Sequence, residues 1–361
     1  MNCIVSLLYL LPYLATPTCE DCINTITVKG EVLEYGTEAP IRGVNVYIAG
    51  SQNGTTTDPD GNFILEDIEQ ETFQLIFSHV GYDIRSVNFV GANTDKTLKV
   101  YLKSVTVSLE SVTVNAKASR KWERDLKKFK QFFFGEGYQR ANIAMNNDYL
   151  LEFGQQKGKG FHVVNQPALE ISNEDLGYDI YFQLLKFELG KTKTYLGHSL
   201  FKERTPENES QQLAWKANRQ IAYNGSIRHF LKSLIDQAPD NEGFSLLLRK
   251  ANVRDEIYSG RIAKPEPPRF ADDGIYKQNI VVTPINDKVF ELSFEGLMLV
   301  EFLREKDENG KTQKSQIELT EPLRIHKNGV LLNPDALRLN GYWTTEGMAQ
   351  SLPFEYNPEK E

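Results

Sequence analysis

The chain has 361 residues, enough for two or three domains. It carries 41 Lys and Arg against 49 Asp and Glu, a formal net charge of -8, and 40% of its residues are hydrophobic. This composition is ordinary for a globular protein and excludes a multi-span membrane protein, a disordered chain and a collagen-like repeat. The acidic balance also argues against a dedicated nucleic-acid binder, which needs a basic face to neutralise phosphates.

An apolar run over residues 4–15 precedes the first basic residue, Lys29. The run is too short to span a bilayer and matches the hydrophobic region of a secretory signal. Small and turn-forming residues follow over 15–18, as a cleavage region requires, so we expect a signal peptide over residues 1–18. The absence of Lys or Arg ahead of the run departs from the signal pattern. A buried N-terminal strand or helix is the alternative.

The three cysteines are Cys3, Cys19 and Cys22. Cys3 would leave with the signal peptide. The other two would lie at the new N-terminus rather than in a βαβ pattern, which argues against a thioredoxin-like redox role. No second cysteine pair completes a zinc site of four cysteines. Three states stay open: a Cys19–Cys22 disulfide, a lipid on Cys19, and an inert tail.

Between residues 25 and 116 the hydrophobic pattern has a period of two, which indicates β-strands. About seven short strands alternate with turn signals at residues 35–40, 49–54 and 58–61. Evenly spaced short strands of this kind are typical of a sandwich. The sequence therefore predicts a seven-stranded antiparallel β-sandwich, within a chain that is mainly β and α+β overall.

Four stretches of this region carry a resemblance to a known family. They are Val28-Lys-Gly-Glu-Val32, Ala39-Pro-Ile-Arg-Gly-Val-Asn-Val46, Thr57-Asp-Pro-Asp-Gly-Asn-Phe63 and His79-Val-Gly-Tyr82. Together they resemble the carboxypeptidase regulatory-like domain, found in many Gram-negative envelope proteins. The resemblance covers about a quarter of the chain and implies a transthyretin-like sandwich that is not itself catalytic. With the apolar run, it implies export to the periplasm or outer membrane of a Gram-negative bacterium.

The segment Leu109-Glu-Ser-Val-Thr-Val114 is similar to the one that links such a domain to the plug of TonB-dependent receptors. The chain is far too short to hold a plug and a barrel as well. The likeness therefore implies an accessory of a TonB-linked transporter rather than a receptor.

Asp58, Asp60 and Asn62 alternate like the oxygen ligands of a calcium loop, with Glu69 at loop position 12. Phe63 stands at position 6, where such a loop needs Gly, and the flanks indicate strands rather than helices. We interpret the stretch as a plain turn capped by Asx side chains and expect no metal there.

Residues 117–135 link this domain to the remainder, and the stretch 118–134 holds six basic and two acidic side chains. Its apolar residues recur at helical spacing: Trp122, Leu126, Phe129 and Phe133. The pattern predicts a basic amphipathic helix. Such a helix either docks its aromatic stripe on its own domain or lies peripherally on an anionic membrane. We favour docking.

Residues 136–361 mix strands and helices, which predicts an α+β domain with a large antiparallel component. A helical segment over about 211–236 is interrupted near Asn224-Gly225, and Asn328-Gly329 predicts a hairpin turn. We also expect a strand over 148–153. The apolar stripes expected along the helical segment are Leu213, Ala217, Ile221, Ile227, Leu231 and Leu234.

Three phrases of this region resemble uncharacterised envelope proteins that carry the same N-terminal module. They are Leu176-Gly-Tyr-Asp-Ile180, Ala222-Tyr-Asn-Gly-Ser-Ile-Arg-His-Phe230 and Asn340-Gly-Tyr-Trp343. This second likeness implies no activity.

Catalytic motifs are missing from the sequence. None of the five histidines belongs to a His-x-x-Glu or His-Glu-x-x-His pattern, so zinc carboxypeptidase chemistry is not expected. Gly197-His-Ser-Leu-Phe201 begins like a nucleophile elbow, but Phe201 replaces the Gly of the sharp turn and the context is a strand. No Walker loop or dinucleotide fingerprint occurs, and we expect no cofactor.

One polar and aromatic group is a candidate binding face: Trp215, Arg219, Tyr223, Arg228 and His229. The first three are four residues apart and share one helical face. They could bind a glycan or peptide through aromatic contact and arginine hydrogen bonds. The alternative, which we favour, is that the aromatic rings pack and the arginines bond nearby backbone or carboxylates.

Two functions follow from these observations. The first is a non-enzymatic envelope protein that binds a partner protein, a peptide or a surface polymer, and we favour it because no catalytic constellation is visible. The second is a hydrolase of peptides or glycans whose acid and base are carboxylates far apart in the second region.

Overall fold

The computed structural model describes residues 25–91, 94–105, 120–135, 138–156, 160–164, 168–189, 193–249, 279–306 and 310–360. The predicted signal peptide, the cysteines and the 109–114 segment lie outside the described residues. Within the described ranges, no helix is both long and apolar enough to cross a membrane.

The N-terminal domain is a sandwich of seven strands, as the sequence predicts. They are β1 (Ile26–Glu34), β2 (Asn45–Ile48), β3 (Gly54–Thr56), β4 (Asn62–Ile68), β5 (Phe73–Ser78), β6 (Arg85–Phe89) and β7 (Lys96–Leu102). One sheet has the order β4-β1-β7 and the other β3-β2-β5-β6. Inward-facing residues of both sheets form one buried core. The first and last strands run parallel to each other, so the sandwich is not antiparallel throughout.

The turn at Asp58 is held by its own side chain. Asp58 Oδ1 accepts hydrogen bonds from the backbone N–H of Asp60 (3.0 Å) and of Asn62 (2.8 Å). Gly61 takes a φ of +77°, which glycine adopts without strain. The geometry is the Asx-capped turn that the sequence predicts.

The second region is α+β, as predicted. Its elements are α1 (Arg120–Phe134), β8 (Ile143–Met145), β9 (Phe153–Gln156), β10 (Gly160–Val163), β11 (Ala168–Asn173), β12 (Tyr178–Leu189), β13 (Lys193–Glu203), α2 (Glu209–Tyr223), α3 (Ile227–Ile235), β14 (Phe244–Arg249), β15 (Val281–Pro284), β16 (Val289–Ser293), β17 (Leu297–Lys306), β18 (Thr312–Leu319), β19 (Leu323–His326) and β20 (Leu337–Gly341). They form a six-stranded sheet (β8-β11-β12-β10-β9, with β13 on β12), a four-stranded sheet (β14-β17-β18-β20) and a three-stranded sheet (β15-β16-β19).

One predicted strand is replaced by a turn. Asp148–Leu150 forms a single 3-10 turn where the sequence predicts a strand over 148–153. The Asn147 side chain bonds Ala168 O (2.9 Å) and the Glu170 N–H (2.9 Å), which anchors the start of this turn to β11. Local alternation of apolar residues could not indicate that tertiary anchor.

The basic helix α1 docks on its own domain, as favoured from the sequence. Phe129 and Phe133 are fully buried in a core shared with β12. Trp122 Nε1 donates a 2.9 Å hydrogen bond to Leu151 O. The helix is therefore built into the α+β region through its aromatic stripe.

The break between α2 and α3 lies where the sequence predicts it. Asn208 caps α2 by accepting a hydrogen bond from the Gln211 N–H (2.9 Å), and Ser226 caps α3 in the same way from the His229 N–H (3.2 Å). Gly225 takes a φ of +71° between the two helices.

The predicted apolar stripe of α2 is wrong, whereas that of α3 is correct. Leu213 and Ile221 are 59% and 63% exposed, and Trp215, Arg219 and Tyr223 are buried instead. On α3, Leu231 and Leu234 lie in the core. Side chains on the buried face of α2 donate hydrogen bonds to the backbone of a neighbouring turn, as described below.

The sandwich is hydrogen-bonded to the α+β region. The Gly50 N–H donates to Ser199 O (2.7 Å) and the Phe201 N–H donates to Ser51 O (2.9 Å), so a short parallel bridge joins the 49–51 turn to β13. Ser199 therefore lies in a paired strand, the context predicted for this elbow-like stretch. On another side, Lys288 Nζ donates to Glu69 O (3.0 Å).

A matched pair of leucine substitutions tests the orientation of the two helices. Leu231→Ala removes a fully buried side chain from the core, and we expect it to lower the free energy of unfolding by about 2–5 kcal/mol. Leu213→Ala, on the exposed stripe, should change it by less than about 0.5 kcal/mol. Urea unfolding followed by circular dichroism measures both. Equal losses would show that α2 buries the Leu213 face.

Candidate functional site

A cleft of about 280 Å³ opens where the sandwich, the β12–β13 hairpin, α2 and the C-terminal tail meet. We use "tail" for residues 351–360. The sandwich contributes Gln52, the hairpin contributes Tyr178 and Glu203, and α2 and the tail supply the other walls. Parts of the chain that are far apart in sequence therefore build one concave surface.

Helix α2 is fixed to the 174–176 turn between β11 and β12 by three donors that point at three consecutive carbonyls. They are Trp215 Nε1 to Glu174 O (2.7 Å), Asn218 Nδ2 to Asp175 O (2.8 Å) and Arg219 Nε to Leu176 O (2.8 Å). The next residue, Gly177, has a φ of +69°, and a Cβ there would lie 2.3 Å from a ring carbon of Trp215. The indole therefore packs directly on the backbone of this turn.

Arg219 forms part of the cleft wall, and its guanidinium already interacts with neighbouring side chains of the protein. Its Nη1 lies 2.8 Å from Glu203 Oε1, and its guanidinium lies 4.3 Å from the centre of the Tyr178 ring. The Arg219 side chain is 5% exposed, whereas that of Glu203 is 51% exposed. The carboxylate is thus the part of this ion pair that a molecule in the cleft would meet.

Arg228 holds the tail rather than lining the cleft. Its Nη1 donates to Pro353 O (2.7 Å) and its Nη2 donates to Phe354 O (2.9 Å) and Tyr356 O (2.6 Å). Its Nε donates to Asn328 O (3.1 Å). Burial lowers the pKa of this guanidinium to about 10, so it stays charged at neutral pH.

Tyr223 and His229 pack behind the cleft. Burial raises the pKa of Tyr223 to about 12, and its ring lies 5.0 Å from that of His229. His229 Nδ1 accepts a hydrogen bond from the Gly225 N–H (3.1 Å), so Nε2 carries the proton and donates to Glu242 (3.2 Å). Burial lowers the pKa of His229, which keeps the ring neutral.

The five candidate residues therefore divide into two groups. Trp215 and Arg219 line the cleft, whereas Tyr223, Arg228 and His229 lie outside its lining. All five are held by packing or by hydrogen bonds within the protein.

Several cleft residues are absent from the sequence-based candidates. The side chains of Gln52, Gln212, Lys216 and Lys360 line the cleft and have no hydrogen bond or ion pair to any residue that the structure describes. Gln212 and Lys216 are four residues apart on α2, beside the candidate Trp215, so helical periodicity could have added them. No sequence signal places the tail or the 49–51 turn beside this helix.

The cleft contains a second carboxylate, Glu355, on the tail. The Gln52 N–H donates a 2.9 Å hydrogen bond to Glu355 Oε2. Partial burial raises the pKa of Glu355, and hydrogen bonds from backbone N–H groups oppose that rise. Glu203 and Glu355 thus face the same cleft, each with a contact inside the protein.

Comparison with known proteins bears on the sandwich. Residues 28–114 match the family model of the CarboxypepD_reg-like domain. The N-terminal quarter of the chain is a CarboxypepD_reg-like domain. The remaining residues match no family model, and no curated protein matches the chain.

Solved structures match short parts of the chain. A cohesin–X-dockerin complex from Acetivibrio cellulolyticus is 26% identical over 21% of this chain and 56% of that chain, with a TM-score of 0.20. Shaft pilin SpaA from Lactobacillus rhamnosus GG is 13% identical over 23% of this chain and 48% of that chain, with a TM-score of 0.19. The chain thus spans about half the length of these proteins.

A pair of carboxylates with raised pKa lies outside the cleft lining, in the α+β region. Burial, with a smaller effect of Glu305, raises the pKa of Glu346 to about 8. Burial also raises the pKa of Glu305, which accepts a 2.8 Å hydrogen bond from Gln313 Nε2. Neither glutamate lines the cleft, so this pair is not its acid and base.

Removing the Arg228 guanidinium should loosen the tail. Arg228→Met keeps the aliphatic stem and leaves four carbonyls without this donor, so we expect the protein to lose about 3 kcal/mol or more of stability. Hydrogen exchange should accelerate at the Phe354 amide, which bonds Gly50 O. Arg324→Met, at an exposed arginine, is the matched control. Identical unfolding curves for the two variants would contradict the role of Arg228.

Glu346 should make stability fall with rising pH. Its pKa is about 8 in the folded protein against 4.5 for an ordinary glutamate, so the folded state binds more protons than the unfolded state between these values. The free energy of unfolding should therefore decrease as pH rises through this range. Glu346→Gln should flatten the slope, and Glu321→Gln, at an exposed glutamate, should keep it. Denaturant titrations between about pH 5 and pH 9 measure how the free energy of unfolding changes with pH in each variant.

Proposed function

We propose that this chain is a non-enzymatic binding or assembly protein of the cell envelope, and that its cleft holds a polar peptide segment of a partner protein. The observation that carries the proposal is the cleft itself. Its walls come from the CarboxypepD_reg-like domain and from the α+β region, and they present polar side chains that bond no described residue.

The chemistry of these side chains favours a peptide. The amides of Gln52 and Gln212 each offer donors and an acceptor, which suits the N–H and C=O groups of a peptide backbone. Lys216 and Lys360 supply positive charge for a carboxylate of the same segment. The aromatic rings in the wall are almost fully buried, so stacking on a sugar ring is less favoured.

The cleft is assembled before any ligand arrives. Arg228 fixes the tail, the 49–51 turn bonds β13, and three donors fix α2 to the turn between β11 and β12. A preformed site avoids the entropic cost of ordering its walls on binding. This supports recognition of a flexible segment by a rigid receptor.

The proposed place of action is the periplasm or the outer membrane. The predicted signal peptide over residues 1–18 and the CarboxypepD_reg-like domain support export. A TonB-linked transporter is one partner that fits this location, as the 109–114 stretch implies.

A second function is a hydrolase, and one observation favours it. Glu203 and Glu355 are two carboxylates in one cleft, and the raised pKa of Glu355 suits a general acid. Glu203 is bound to Arg219 and would act as the base or nucleophile. Turnover of a peptide or glycan by purified protein, lost in both Glu355→Gln and Glu203→Gln, would establish this function in place of the first.

Mild crosslinking of tagged protein in its native cells, followed by membrane fractionation and mass spectrometry, tests the binding function. We expect an envelope protein to be recovered with the wild type. Lys216→Glu should reduce that recovery about tenfold or more, because a charge-assisted hydrogen bond is replaced by repulsion. Lys202→Glu, an exposed lysine on β13 outside the cleft lining, makes the same charge change and should leave recovery intact.

Two results would contradict the proposal. One is recovery of the protein alone in a soluble fraction. The other is equal recovery of the same partner by Lys216→Glu and Lys202→Glu, which would place the contact outside the cleft.

A further inference from the structure

Helix α1 presents a basic face on the surface of an acidic protein. Its exposed cations are Arg120, Lys121, Arg124, Lys127 and Lys128. At 3.6 residues per turn they fall within about one third of the helix circumference and extend for about 12 Å along the axis. The remaining residue on this face is Gln131, which is also exposed. The chain as a whole has a formal net charge of -8.

The opposite face of α1 packs in the hydrophobic core, and this packing fixes the orientation of the basic face. Phe129 and Phe133 are fully buried, and Trp122 is hydrogen-bonded to the backbone at Leu151. At the edge, Lys130 Nζ lies 2.6 Å from Asp148 Oδ2. The helix cannot turn its aromatic stripe outward without losing this packing.

The carboxylates near the basic face neutralise only part of its positive charge. Buried Asp125 lies between Lys121 (3.8 Å) and Lys128 (3.9 Å). Arg120, Arg124 and Lys127 form no ion pair with any residue in the described ranges. Exposed Glu123 lies on the flank of the helix rather than among the cations. The face therefore carries a net positive charge.

We propose that this basic face docks the protein on the anionic phospholipid headgroups of a membrane surface. The proposal rests on the envelope location in the proposed function and uses a surface separate from the cleft. A folded acidic partner fits less well, because the face offers no exposed apolar side chain to form the core of a protein interface. Long, mobile cations suit a diffuse layer of phosphates.

The docking is electrostatic and involves no insertion. Membrane-embedded amphipathic helices bury an apolar face among the lipids, whereas that face of α1 is buried in the protein. Binding should therefore require anionic lipid and should weaken steeply as salt concentration rises.

Co-sedimentation of the purified full chain with vesicles tests this inference. We expect binding to vesicles of phosphatidylcholine with phosphatidylglycerol and none to phosphatidylcholine alone. The triple variant R120Q/R124Q/K127Q should lose about a hundredfold in affinity, about fivefold for each cation. The matched control, R85Q/R324Q/R338Q, removes three exposed arginines elsewhere and should bind like the wild type. Circular dichroism should show both triple variants folded, since none of these cations is buried.

Three outcomes would overturn the inference. They are equal binding to both kinds of vesicle, equal affinity of the two triple variants, and release by inorganic phosphate but not by chloride of the same ionic strength. The last would indicate a discrete phosphate site instead of a membrane surface. The cleft variant Lys216→Glu should sediment like the wild type, so failure of vesicle binding and failure of partner recovery are separate results.

Discussion

The arrangement of the molecule depends on one half-buried cation. Arg228 donates hydrogen bonds to three carbonyls of the tail and to Asn328 O, and no carboxylate lies among these acceptors. The tail is also bonded to the CarboxypepD_reg-like domain, because the Phe354 N–H donates to Gly50 O and Glu355 accepts from the Gln52 N–H. By holding the tail, this guanidinium indirectly holds that domain on the α+β region. The cleft exists because the tail is held there, since Glu355 and Tyr356 form one of its walls.

Helix α2 shows how hydrogen-bond satisfaction can outweigh hydrophobic patterning. Its aliphatic stripe, with Leu213 and Ile221, is exposed, while Trp215 and Arg219 are buried. The buried side chains cover apolar area and also supply donors to the backbone carbonyls of the 174–176 turn. A buried carbonyl left without a donor costs about 1–3 kcal/mol, so these hydrogen bonds offset much of the cost of exposing two aliphatic side chains. The same choice places Gln212 and Lys216 at the edge of the cleft.

The two proposed surfaces differ in how far the sequence could predict them. The basic face of α1 follows from its periodicity, because cations and aromatic residues alternate at helical spacing within one continuous segment. The cleft could be predicted only in part. Trp215 and Arg219 stood out as chemically suited residues on one face, yet Gln52 and Lys360 reach the same cleft from opposite ends of the chain. A single sequence carries no signal for such contacts.

The sequence by itself determined the seven strands of the sandwich, the Asp58 turn, the break at Asn224-Gly225 and the family of the N-terminal domain. The strands, the turn and the helix break depend on periodicity, turn chemistry and helix capping, which act over a few neighbouring residues. The family was indicated by the resemblance of four short stretches of sequence. Only the tertiary structure decided which face of α2 is buried, where the tail lies and which polar side chains line the cleft. Those outcomes depend on pairing donors with acceptors that are distant along the chain, a balance that local pattern does not contain.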